Sequence, residues 1–129
     1  MVCFGDSNTY GTPPTTSSDG VPRYGSDVRW TRLLADALGP SWRVQEEGLP
    51  GRTTVHPDLV EGPHVSGLAA LPVVLGSHSP IDILVIMLGT NDLKARFSVP
   101  GRHRDLRRDA RPRRAYLLRR HGAPRAGVR

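Results

Sequence analysis

The chain has 129 residues, a single cysteine and a formal net charge of +6. That length holds one domain with room for a buried core, and a lone thiol excludes an internal disulfide framework. No run of 18 apolar residues exists, which excludes a membrane-spanning helix, and no basic-then-apolar leader precedes the first strand, so the expected compartment is the cytoplasm.

Met1–Phe4 reads as a short buried strand that runs directly into Gly5-Asp6-Ser7. Strand, tight turn and exposed serine is the arrangement that lifts a hydroxyl clear of a sheet, where a base can activate it. Gly, Asp and Ser are also ordinary turn residues, so the tripeptide alone fits a plain strand-ending turn equally well. Residues 11–26, with Pro13-Pro14 and Ser17-Ser18-Asp19-Gly20, read as a surface loop. Ser26 or Asp27 is expected to cap a helix with Val28, Leu33, Leu34, Ala37 and Leu38 as its apolar stripe, ended by Gly39-Pro40. Trp42-Arg43-Val44 is expected to open a second strand leading into a glycine-bearing loop, Glu46–Thr54. After loop residues 55–64, a second helix is expected from Val65 to Ser77, with Pro72 in its first turns or kinking it. Ile81–Leu88 is a β-branched apolar run, the pattern of a central parallel strand buried on both faces, and it ends in Gly89-Thr90-Asn91-Asp92.

The order strand–helix–strand–helix–strand predicts an α/β fold with a mainly parallel sheet and right-handed crossovers. Such a sheet collects functional groups at the carboxyl ends of its strands. Loops 5–11, 48–54 and 89–94 meet that condition. No cluster of His, Cys and carboxylates has metal-ligand spacing, so neither a metal nor another cofactor is expected.

Those three loops carry Gly5-Asp6-Ser7, Gly48–Gly51 and Gly89-Thr90-Asn91-Asp92. In identity and order they resemble the blocks of the S-G-N-H, or G-D-S-L, hydrolase superfamily. Cys3–Ser7, Asp27–Thr31, Glu46–Leu49, Arg52–Thr54 and Met87–Asp92 are most similar to its bacterial arylesterase/acyltransferase branch. The resemblance implies a flavodoxin-like three-layer α/β/α sandwich, incomplete here on its C-terminal side, and a small ester as substrate. It implies Ser7 as nucleophile, with Ser7 N–H, Gly51 N–H and the Asn91 side-chain amide as the oxyanion hole. Asp6 and Asp92 are expected to support the loops by bonding their backbone. Trp30 could line an acyl pocket or pack in the core. Hydrolysis and acyl transfer to an alcohol share every one of these groups, so both remain open, and the resemblance also admits an oligomer. Asn8 stands where the family name has leucine.

The family's base comes from an Asp-x-x-His pair near the C-terminus. No aspartate in this chain has histidine three positions on, and His56, His64 and His78 all precede the third strand. The general base and its carboxylate partner are therefore expected to be absent, together with the two further strands of a full-length relative, so that the sheet has an exposed edge and the activity is impaired.

Residues 1–97 carry seven Lys+Arg against ten Asp+Glu, a net of −3, whereas residues 98–129 carry eleven Arg against two Asp, a net of +9. Residues 1–97 thus read as the N-terminal part of the hydrolase domain and 98–129 as an Arg/Pro-rich tail. A non-catalytic remnant with a nucleic-acid-binding arm is one reading of that tail, since arginine binds phosphate, and a disordered basic extension is another. A frameshift is favoured over both: arginine without lysine is typical of GC-rich coding sequence read out of frame. A permitted codon choice for Gly101–Arg111, shifted by one base, yields Gly-Asp-Ile-Ala-Ile-Ser-Ala-Glu-Thr-Leu-Val, which has helix-like apolar spacing.

Overall fold

The computed structural model describes residues 1–14, 22–97 and the backbone of 115–119. The expected loop over Ser17–Gly20 and most of the tail lie outside the described residues. Val2–Gly5 (β1), Gln45–Gly48 (β2) and Ile83–Met87 (β3) form a parallel sheet in the order β2-β1-β3. The registers Val2↔Gln45 and Val2↔Leu84 place β1 at its centre. This is the mainly parallel, flavodoxin-like arrangement that the element order requires.

One face of the sheet is built by Val2, Phe4 and Leu84, all buried, and is covered by Gly67–Ser77 (α3) through Ala70, Leu71, Val74 and Leu75. Alternation puts Cys3 on the other face beside its register partner Glu46. Burial pushes the Cys3 thiol up to about 11, as befits a small core residue. Trp30–Leu38 (α2) lies over that second face, and the hydroxyl of its buried Thr31 donates to Glu46. Burial would raise the Glu46 carboxyl, but hydrogen bonds from Arg29 and Thr31 hold it below its ordinary value.

Several boundaries differ from the sequence expectation. α2 starts at Trp30 without a side-chain cap; Ser26 and Asp27 sit in the preceding turn. Arg29, extended at the N-cap, is held by a two-pronged bond to Glu46 (3.0 and 3.1 Å) and by the Tyr24 carbonyl (2.7 Å). A tertiary ion pair thus sets the helix start, overriding the local capping signal. Val28 and Leu33 are about half exposed instead of lining the core. Residues 42–44 precede β2, although Val44 is buried. Val65 ends a 3₁₀ turn from Pro63, and Ser66 caps α3, its hydroxyl accepting from the Ala69 N–H at 3.4 Å. Pro72 is therefore inside α3, not in its first turn, and the Leu68 carbonyl loses its usual donor. Of β3 only Leu84 is fully buried.

Ser7–Tyr10 (α1), expected as loop, is a single helical turn capped by Asp6 and closed by Gly11 in the left-handed region (φ 90°). Ala115–Arg119 (β4) pairs antiparallel with β3, Met87 opposite Ala115 and Ile83 opposite Arg119. β3 is consequently paired on both sides, and β2 and β4 form the edges of this sheet. Among the described residues no helix is long and apolar enough to cross a membrane, and no group of three His, Cys, Asp or Glu could hold a metal ion.

Candidate active site

β1, β2 and β3 end at Gly5, Gly48 and Met87, so the loops bearing Ser7, Gly51 and Asn91 leave the sheet at the same end. Ser7 is the first residue of α1 and partly exposed. Asp6, 1% exposed, caps that turn: its Oδ1 accepts from the Asn8 N–H (2.9 Å) and the Asn8 side-chain amide (2.7 Å). Asn8 thereby braces the cap from within α1. The turn can lie this close to the sheet because glycines end β1 and β2. A side chain at Gly48 would overlap the backbone of Thr9 and Tyr10, and one at Gly5 would overlap the Thr9 side chain. The Ser7 hydroxyl has no hydrogen-bond partner among the described residues.

Gly51 adopts φ 81°, a conformation costly for any residue with a Cβ. Beside it, the Asn91 side-chain Nδ2 donates to the Arg52 carbonyl at 3.0 Å. That bond uses one amide proton, fixes the plane of the amide and leaves the second proton for another acceptor. Asp92 is buried, and both its oxygens accept from the Thr54 N–H at 3.0 Å, with the Thr54 hydroxyl donating as well. Next to Gly51, the loops after β2 and β3 are thus bonded to each other through Arg52–Asn91 and Thr54–Asp92.

Sequence reasoning passed over Arg52 as a functional residue. It is 6% exposed, its Nη1 donates to the Gly5 carbonyl (3.1 Å) and to the Glu47 carbonyl, and its Cζ lies 4.1 Å from the centre of the Phe4 ring. Burial lowers the guanidinium from its ordinary pKa, with Glu47 and Asp6 opposing the shift. Arginine is ordinarily a surface residue, and nothing in the local sequence signals that this one is buried.

The histidines are dispersed. His56 stacks on Phe97 (centroids 4.9 Å apart, 16° between planes) with its Nε2 3.8 Å from Asp92 Oδ1. His78 Nε2 lies 2.6 Å from Glu47 Oε1, and His64 belongs to the 3₁₀ turn before α3. None is hydrogen-bonded to Ser7 among the described residues. Trp30, at the start of α2, is partly buried, and its indole Nε1 has no partner among the described residues. A concavity of about 520 Å³ lies at the amino ends of the strands, lined by Met1, Trp42, Arg43, His78 and Pro80 among others, away from the three loops.

The family model for GDSL-like lipases and acylhydrolases matches residues 3–127. The chain belongs to this family. Solved structures agree with that membership. The inhibitor-bound aryl esterase of M. smegmatis is 45% identical, with a TM-score of 0.71, over 76% of this chain and 45% of that one. A carbohydrate acetylesterase from Sinorhizobium meliloti is 43% identical, with the same TM-score and the same coverage of both chains. A second carbohydrate acetylesterase family member from that organism is 40% identical with a TM-score of 0.65, over 74% of this chain and 43% of that one. This GDSL-family chain therefore spans about half the length of the structures it matches. Among curated proteins no match is found.

Proposed function

We propose that this chain carries the nucleophile and the oxyanion-binding loops of a serine esterase acting on small carboxylic esters. The reading is supported most directly by the Asn91–Arg52 hydrogen bond, which holds a side-chain amide donor next to Gly51. In the proposed reaction the Ser7 Oγ bonds to the ester carbonyl carbon while the carbonyl π pair moves onto oxygen. That oxyanion is received by the Ser7 N–H, the Gly51 N–H and the free Asn91 amide proton. Collapse breaks the bond to the leaving oxygen, which departs as the alcohol with a proton taken from solvent, to which the Ser7 proton has passed, and leaves an acyl ester on Ser7 that water cleaves to the carboxylic acid. Asp6 and Asp92 hold the loops, and Trp30 is the candidate to shape an acyl pocket.

The sequence supplies no Asp-x-x-His pair to take the Ser7 proton. General-base assistance is worth about 10²–10⁴ in rate, so this chain is expected to be slower than a complete enzyme by about that factor. The test is hydrolysis of a short-chain p-nitrophenyl ester by the wild type, Ser7→Ala and Asn91→Ala. Ser7→Ala is expected to fall to the uncatalysed rate. Asn91→Ala is expected to lose about 10²–10³ of the Ser7-dependent rate, the cost of one oxyanion donor. Equal rates for wild type and Ser7→Ala would overturn the reading.

A further inference from the structure

Arg52 touches all three strand-end loops at once. Its guanidinium donates to the Gly5 carbonyl, two residues before Ser7, and to the Glu47 carbonyl at the end of β2. Its own carbonyl accepts the Asn91 amide, and its own N–H donates to the Leu49 carbonyl at 3.1 Å. Taking a guanidinium out of water is expensive, and buried arginines are ordinarily compensated by a carboxylate. Among the described residues no carboxylate lies within ion-pair distance of Arg52, and its Nε has no partner. A hydrophobic side chain of similar length would fill the space over Phe4 at less cost. What such a side chain could not do is fix three main-chain segments relative to one another.

From this geometry we infer that Arg52 is the positioning residue of the oxyanion site, setting the distances among the Ser7 N–H, the Gly51 N–H and the Asn91 amide. The inference rests on the esterase reading above. Arg52 acts through its neighbours, and its effect is on the placement of donors. A displacement of about 1 Å at a reacting centre can cost about 100-fold in rate.

The probe is an alkyl fluorophosphonate, which forms an Oγ–P bond at a serine and expels fluoride, with the hydroxyl proton passing to solvent. Its phosphoryl oxygen occupies the position of the ester oxyanion. Labelling of the full chain is followed by intact mass, with Ser7→Ala as the blank. The side-chain ¹⁵NH₂ pair of Asn91, assigned by its loss in Asn91→Asp, supplies a second readout that needs no reactivity. In Arg52→Met we expect Ser7 labelling to slow by about 100-fold and the Asn91 pair to lose its bonded-proton shift, while the urea midpoint stays near wild type. Arg52→Lys, which restores charge and one carbonyl contact, is expected to recover part of both. Wild-type labelling and an unmoved Asn91 pair in folded Arg52→Met would overturn the inference. So would unfolding of both variants, which would make Arg52 a support of the fold as a whole. If wild type labels no faster than Ser7→Ala, the esterase reading fails, and the Asn91 signals alone then decide whether Arg52 orients that amide.

Discussion

A methyl group added at Gly51 would overlap Glu61 Oε2 and would have to adopt φ 81°. Glu61 is in turn held by Lys94 and by Arg96 Nη2 (2.8 Å). Gly51→Ala is therefore expected to lower stability by about 1–2 kcal/mol from the left-handed backbone alone. In a Glu61→Ala background the overlap disappears and the backbone cost stays, so urea midpoints of the double-mutant cycle separate the two. Asp58 is the other polar anchor here: buried, it accepts from the Val60 and Glu61 N–H groups and from Arg96 and Lys94. The Arg96 guanidinium, against the opposing effect of burial, holds its carboxyl well below the usual range. A depressed carboxyl stabilises the fold above the unfolded value near 4, and that stability is lost as pH falls toward the folded value. Urea midpoints measured from pH 7 down to pH 2 are expected to fall less steeply for Asp58→Asn, which starts lower at neutral pH. The position of Ser7, Gly51 and Asn91 in loops at the same end of the sheet was legible in the sequence, because each follows a strand in a short motif. Arg52 was not, since arginine is expected at the surface and nothing local reports that a loop folds over it.

β1, β3 and the two long helices follow from local patterns: an apolar run for each strand, a helical stripe ended by Gly39, a serine at the start of α3; β2, Gln45–Gly48, is set by its pairing with β1. Ser66 shows how such a signal works, accepting from the Ala69 N–H while donating to the Val55 carbonyl at 3.2 Å. Ser66→Ala is expected to cost about 1 kcal/mol, read as a shift of the urea midpoint with unchanged slope. What was not legible is decided by contacts between elements. α1 is too short for periodicity, though Asp6 at its start and Gly11 at its end are the signals that could have marked it. The start of α2 depends on Glu46, 17 residues from Arg29. β4 has only Tyr116-Leu117-Leu118 to announce it within an arginine-rich stretch.

Taken whole, the chain covers about half of each structure it matches. Leu68 and Val73 on α3 are 65% and 69% exposed, and Leu59 is fully exposed. The excess positive charge lies in residues 98–129, so it says nothing about the face that carries Ser7. If removal of the Ser7 proton limits the proposed chemistry, a small diffusible base should assist it. Added imidazole is expected to raise the p-nitrophenyl ester rate of wild type more than that of Ser7→Ala, whose response measures direct attack by imidazole. Parallel increases in the two would show that proton removal from Ser7 is not what imidazole supplies.

The partners of Arg52 are main-chain oxygens at Gly5 and Glu47, and Asn91 in turn bonds a main-chain oxygen of Arg52. Every residue has a carbonyl, so the Glu47 side chain can change freely without cutting this tie. Robustness to substitution is therefore unevenly distributed: position 47 tolerates sequence drift in this linkage, whereas Gly5 is fixed against it by the Thr9 side chain and position 52 carries the remaining vulnerability in one codon.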